Sequence, residues 1–328
     1  MKIAIVGATG LVGSKIISLC EKYFSHEVEY SLFASKNSAG KKIKVSDTEY
    51  DVIELCDENI GHYDIALFSA GGERSKIFAN KFIENGSYVV DNSSSFRLEE
   101  NVPLVVYGIN QDEISSNTKL ISNPNCTTMG LVMALKPLHD LFELESIVPV
   151  AYQAVSGSGT VALNSLEKEI SLGEQLTPQY EDGYYTNPIA KNVIPLAGSL
   201  TDNGYSDEEM KFVNESRKIL KIHDLIVEPS NARVGVVTGH GTFCSATFKN
   251  VVDIERAKSS INGFDGTEYW DSPLPTPLDV EGREEVLVSR LREGLSSNKI
   301  LNFWVVSDNL LKGAALNAVQ IAKYISTL

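Results

Sequence analysis

"KIAIVGATGLVGSKIISLCEK", residues 2–22, decides the fold of this chain. A short apolar run at residues 2–6 leads straight into glycines spaced G-x-x-G-x-x-G at Gly7, Gly10 and Gly13. Beyond them Ile16, Ile17 and Leu19 fall on one face of an amphipathic helix. A strand, a glycine turn and a helix in this order open a dinucleotide-binding unit. The bare backbone approaches a pyrophosphate, the helix N-terminus holds its charge, and the last glycine lets helix pack on strand. Gly7, Thr9, Gly10, Leu11 and Val12 are therefore cofactor-binding candidates, the competing reading being a purely structural turn.

The pattern continues outward. The run VEYSLFAS at 28–35 has no acidic residue at its end, where a site for the free ribose 2′-hydroxyl of NAD carries one. Ser35, Lys36, Asn37 and Ser38 offer hydroxyls, an amide and a cation, which suit a 2′-phosphate and predict NADP over NAD. Otherwise Lys36 is a solvated turn charge. DIALFSAGG at 64–72 and YVVDNSSSFR at 88–97 are each apolar and then abruptly small and polar. In an open parallel sheet ligands bind at the carboxyl ends of strands, so Ser69, Ala70, Gly71 and Gly72 are expected to line the crevice. LVVYGIN at 104–110 and KLISNPNC at 119–126 extend the series of strands, and the second delivers Cys126 to the same edge.

In SNPNCTTMG, residues 122–130, Pro124 holds a turn-like backbone and residues 127–135 read as a buried helix of small and apolar residues. Cys126 then sits at a helix N-terminus, where unpaired N–H groups and the helix dipole stabilise a thiolate and make a nucleophile. The alternative is one more small buried residue.

From about residue 127 longer strands alternate with helices and Pro-rich loops, an α+β pattern; 271–282 is too rich in proline for a central strand. The last segment reads as a strand followed by a helix in which Ala314, Ala315, Ala318, Ile321 and Ala322 suit close packing. The expected architecture is α/β. A Rossmann-type dinucleotide-binding domain comprises 1–126 and 305–328, and an α+β catalytic and dimerisation domain with a mixed, largely antiparallel sheet comprises 127–304.

With 328 residues, 43% hydrophobic and 22% charged, the composition is that of a globular protein large enough for two domains. A net charge of −14 excludes general nucleic-acid binding, which needs clustered Lys and Arg. The opening apolar run is too short for a secretion signal, and no run reaches membrane-spanning length. Four dispersed cysteines show neither a disulfide framework nor zinc spacing, so no metal and a cytoplasmic location are expected.

GATGLVG, SAGG, DNSSSFR, NPNCTT, YQAVSG, DEEMKFVNESRK, RVGVVTGH and DNLLKGAALNAVQIA follow one another from end to end, and the chain in this respect closely resembles the aspartate-β-semialdehyde dehydrogenases. The resemblance implies NADPH-dependent reduction of L-aspartyl 4-phosphate to L-aspartate 4-semialdehyde and inorganic phosphate, on the way to lysine, threonine and methionine. It implies Cys126 as nucleophile, Asn125 beside it at the oxyanion, His240 as acid–base group of near-neutral pKa and Gln153 as the amide that orients the intermediate. By the same resemblance Arg233 takes the substrate α-carboxylate, Glu208 its α-ammonium, and Arg97 and Lys211 the phosphate. Glu208 and Lys211 alone would read as an ordinary i,i+3 ion pair. Ser156, Gly157, Asn317 and Gln320 are implied at the cofactor, and a homodimer through the second domain.

Three departures from the family pattern stand out: Asn37 where many relatives carry arginine, Ser158 within the SGAG motif, and Gly241-Thr242 after His240. Two rival readings run against the sequence. N-acetyl-γ-glutamyl-phosphate reductase is opposed by the NPNC stretch and Glu208; a non-catalytic NADP-binding paralogue is opposed by the retained thiol and histidine.

Overall fold

The computed structural model describes residues 1–24 and 28–328. They form two units, Met1–Asn125 with Ala314–Leu328, and Cys126–Gly313.

The first unit is built on strands β1 (Lys2–Val6), β2 (Glu29–Ala34), β3 (Lys42–Val45), β4 (Thr48–Glu54), β5 (Ile65–Phe68), β6 (Tyr88–Asp91) and β7 (Leu120–Ser122), in the order β3-β4-β2-β1-β5-β6-β7. All pairs are parallel except β3–β4, an edge hairpin whose turn holds Ser46 at a φ of 53°. Helices α1 (Leu11–Tyr23) and α2 (Gly72–Glu84) follow β1 and β5. Ile16, Ile17 and Leu19 are buried as the periodicity requires, and α1 packs beside the C-terminal helix Leu316–Ile325. Phe33, Phe68, Phe82 and Tyr63 fill the opposite core with edge-to-face contacts. Burial of each such ring contributes about 2–3 kcal/mol. A Cβ on Gly13 would lie 2.1 Å from the carbonyl oxygen of Gly7, so only glycine lets α1 lie this close to the turn.

The expected strand at 104–110 is not formed. Only Leu104 bridges to Ser122, because the backbone beyond it is satisfied by side chains. Val106 N–H donates to Asn110, while Asn317 accepts from Tyr107 N–H and donates to the Val105 carbonyl.

The second unit carries α3 (Cys126–Phe142), β8 (Leu144–Gln153), α4 (Thr160–Leu172), β9 (Val193–Ile194), α5 (Asp207–Leu220), β10 (Ile226–Val227), β11 (Ser230–Val234) and β12 (His240–Phe248). Then come α6 (Ile254–Gly263), β13 (Thr267–Trp270), the short α7 (Pro277–Val280), β14 (Val286–Glu293) and β15 (Ile300–Ser307). The sheet order is β13-β14-β15-β12-β8-β11-β9, with β10 also paired to β8. It is mixed: the central β14–β15–β12–β8 pairings are antiparallel, whereas β11 and β10 run parallel to β8, and β13 to β14. Residues 127–135 of α3 are all buried, and the helix packs on the sheet and against α5 and α6.

The boundary between units falls later than expected. β15 is hydrogen-bonded on both edges, to β12 and β14, so the chain returns to the first unit only at Ala314, within a π-helical turn, Leu311–Ala315, and not at 305. At the other end Cys126 opens the second unit and not the close of the first. Among the described residues no helix is long and apolar enough to cross a membrane, and no cluster of His, Cys, Asp or Glu forms a metal site.

Candidate active site

Cys126 is the first residue of α3, half-buried, with no acidic residue in the first turn to oppose a thiolate. The buried Thr127 and Thr128 fill that turn. The chain returns past it in the π-helical segment: a Cβ on Gly313 would lie 2.8 Å from the Cβ of Cys126, so the close approach demands glycine. Gly130, one turn on, admits the Ser307 hydroxyl in the same way.

Three polar side chains converge at neighbouring strand positions. Gln153 ends β8 and pairs in register with Arg233 on β11, while His240 opens β12, whose next residue Gly241 pairs with Tyr152. They are 2%, 5% and 3% exposed, yet Gln153 Nε2, Arg233 Nε and His240 Nε2 each lack a hydrogen-bond partner among the described residues. Buried polar atoms are nearly always paired, so three orphans together mark a place built for a ligand.

One residue, Ala154, organises two of them through its backbone. Ala154 N–H donates to His240 Nδ1 at 2.9 Å, and the Ala154 carbonyl accepts from an Arg233 guanidinium N–H at 2.8 Å. Because Nδ1 accepts, the neutral ring carries its proton on Nε2. Burial first, and then the Arg233 charge, hold the His240 pKa well below its ordinary 6.5. This corrects the near-neutral value expected for His240: the ring is desolvated, beside a cation, and has one nitrogen already engaged. Behind it Asn309 accepts from Gly239 N–H and donates to the Ser156 hydroxyl, both at 2.9 Å, a positioning role that its place in a polar turn did not reveal.

A Cβ on Gly157 would stand 3.1 Å from His240 Nε2 and 3.3 Å from an Arg233 terminal nitrogen. Gly157→Ala is therefore expected to fold normally and to lower kcat/KM about 100-fold by displacing both groups. Steady-state kinetics beside a thermal melt checks it, and unchanged kinetics would show that the glycine is only a turn residue. Ser158, the departure from the family motif, is already engaged, its hydroxyl accepting from Tyr185 at 2.8 Å.

Glu208 lies on the first turn of α5, capped by Ser206 and Glu209, and pairs with Lys211 one turn on at 2.5 Å; Lys211 also reaches Asp207 at 3.2 Å. The ordinary i,i+3 pair is thus present, and its two charges are only partly exposed.

In the first unit a cleft of about 220 Å³ is lined by Gly7, Thr9, Gly10, Ser35, Ser69 and Ala70, all of them expected there. A Cβ on Gly7 would strike the Ser69 carbonyl at 2.2 Å, so the cradle closes only around glycine, and Gly10 caps α1 with no side-chain cap to its first N–H groups. The pyrophosphate of a dinucleotide fits such a cradle. Leu11 and Val12 open α1, and Gly71 opens α2 at a φ of 85°. Lys36 and Asn37 are exposed in a 3-10 turn that continues to Ser38 and are not among the cleft-lining residues. Arg74, which the sequence reading passed over, does line it.

Arg97 is buried and donates to the Asn92 carbonyl at 2.8 Å, and Asn125 is buried as the last residue before Cys126. Gln320 is half-buried on the C-terminal helix. Asn317, expected at the cofactor, is fully buried. Besides its two backbone partners it donates to Asn123 Oδ1 at 2.6 Å, so both its amide hydrogens and its oxygen hold the 105–107 loop and Asn123 in place.

Residues 2–117 match the family described as Semialdehyde dehydrogenase, NAD binding domain, and residues 135–312 match Semialdehyde dehydrogenase, dimerisation domain. The aspartate-semialdehyde dehydrogenase of Corynebacterium melassecola is 42% identical over 98% of both chains. The crystal structure of aspartate semialdehyde dehydrogenase II of Vibrio cholerae, complexed with ASA, superposes with a TM-score of 0.95 at 36% identity, covering 99% of this chain and 98% of that one. A Candida albicans aspartate semialdehyde dehydrogenase structure with NADP superposes at 0.77 with 25% identity, over 99% and 98%.

Proposed function

This chain belongs to the aspartate-semialdehyde dehydrogenase family, an NAD(P)-binding oxidoreductase of aspartate-family amino-acid biosynthesis, and from that premise we propose how its own residues run the reaction. It reduces L-aspartyl 4-phosphate to L-aspartate 4-semialdehyde with NADPH, through a thioester on Cys126. The observation that carries this reading is the trio of orphaned nitrogens on Gln153, Arg233 and His240.

The Cys126 thiolate attacks the acyl-phosphate carbon, the carbon–oxygen bond to phosphate breaks, and phosphate leaves with the electron pair and takes up a proton. When bound, NADPH supplies the hydride that reduces the thioester. The resulting oxyanion collapses, the carbon–sulfur bond breaks, and the thiolate returns without needing a proton. His240 serves this sequence as a neutral donor, its Nε2–H directed at oxygen charge as it develops, in place of the acid–base group first expected. Backbone N–H groups at the start of α3 and the Asn125 amide act on the same charge. Gln153 Nε2 orients the intermediate.

Arg233 pairs with the substrate α-carboxylate through its planar fork. Glu208 receives the α-ammonium and Lys211, with Arg97, the phosphate. These two partners release each other as the doubly charged substrate arrives. Ser156 and Gly157, with the glycine turn, flank the cofactor. The second unit mediates a homodimer, in keeping with the dimerisation-domain match. Four cysteines outside any disulfide, one of them the nucleophile, suit the reducing cytoplasm.

The test is phosphate-dependent NADPH formation from L-aspartate 4-semialdehyde, run beside the N-acetylated glutamate semialdehyde. Turnover confined to the aspartate compound is expected. Turnover confined to the acetylated one would replace this reading.

A further inference from the structure

Nothing acidic follows β2, and the residues expected to read the 2′-phosphate, Lys36 and Asn37, are exposed and do not line the cleft. Among the described residues that line it, Arg74 alone is charged. It sits in the first turn of α2, four residues after Ala70, and donates one guanidinium N–H to the Ala70 carbonyl at 3.3 Å. That bond ties the side chain to the turn at 69–72 and leaves most of its five donors open. No ion pair with a carboxylate engages it among the described residues. A cation in the first turn also opposes the helix dipole, so the stability of α2 does not call for arginine here. Ser35, at the end of β2, lines the same cleft.

We infer that Arg74 supplies, from α2, the cation that reads the 2′-phosphate of NADP, with the Ser35 hydroxyl as its neighbour. The inference rests on NADP being the cofactor, as proposed above. A guanidinium fork matches a phosphate bidentately, and Asn37 cannot. The discriminating charge has moved from the turn after β2 to the helix after β5, while the glycine cradle at β1–α1 is kept.

The test is direct binding of NADPH and NADH to the enzyme without substrate, by ligand fluorescence, for the wild type, Arg74→Leu, Arg74→Lys and Lys36→Ala. Arg74→Leu is expected to weaken NADPH about 10- to 100-fold and to leave NADH within about twofold. Arg74→Lys should recover part of the loss, and the salt dependence of NADPH binding should flatten in Arg74→Leu. Equal weakening of both nucleotides would mean that Arg74 only covers the adenine ring and would overturn the inference. So would a loss in Lys36→Ala with none in Arg74→Leu. A wild type that binds NADPH no more tightly than NADH would instead overturn the NADP assignment itself, and this is read before any variant is made.

Discussion

Cys126→Ala is expected to abolish turnover, by more than about 10⁴-fold, while leaving NADPH binding and thermal stability close to wild type. No other described group is placed to substitute for the thiolate. Cys244 is fully buried and burial pushes its thiol pKa far up; Cys20 is held in the same state on α1, beside Glu21. Both are inert as nucleophiles. Cys126→Ser, which keeps shape and a hydroxyl, should be nearly as inactive, because a serine alcohol ionises far less readily and nothing in the cluster removes its proton: His240 carries its proton on Nε2. Phosphate-dependent NADPH formation with stopped-flow detection gives the rate, and mass spectrometry of wild type mixed with L-aspartyl 4-phosphate alone should find an aspartyl adduct on the peptide containing Cys126. Residual turnover above about 1% in the alanine variant would exclude covalent catalysis at this position.

His240→Ala should lower kcat by about 10²- to 10³-fold, the loss of one donor to a developing oxyanion. The pH dependence separates a donor from a base. Burial and Arg233 place the His240 pKa well below 6.5, so the neutral donor persists as pH falls and no acid limb in kcat is expected near 6.5. Arg233→Leu removes the second of the two causes and should move the limb upward, toward the ordinary value, apart from its effect on KM. Stability follows the same linkage. The unfolded ring binds a proton near 6.5 and the folded ring only at lower pH, so ΔG of unfolding falls as pH drops below about 6.5 and levels off beneath the folded pKa. His240→Gln should flatten that slope in urea melts taken between about pH 7 and 5. An acid limb at 6.5 in wild type would show a ring in ordinary equilibrium with its imidazolium, and the bond from Ala154 N–H would then not govern the reaction.

Short-range chemistry made much of this molecule readable in advance. Glycine at positions 7, 10 and 13 behind a buried strand admits one local geometry, and a proline turn before small residues puts Cys126 on the first turn of α3. The 104–110 run misled because an apolar segment resembles a strand whether its backbone pairs with a neighbour or with the side chains of Asn110 and Asn317, the latter more than two hundred residues away. The C-terminal boundary misled for a similar reason, since an apolar strand at 300–307 completes whichever sheet has an open edge.

By itself, then, the sequence determined what depends on neighbours along the chain: the cofactor turn, the nucleophile at a helix start, and the lack of an acid after β2. Only the tertiary structure decided what depends on strand order and register. Gln153 lies far along the chain from Arg233 and His240, and the three meet because β11 and β12 flank β8. The protonation state of His240 is set by a peptide 86 residues away, and Arg74 gains a cleft to face because β1, β2 and β5 lie side by side. A side chain carries its own chemistry, but its dielectric surroundings and hydrogen-bond partners come from whichever strands pair beside it.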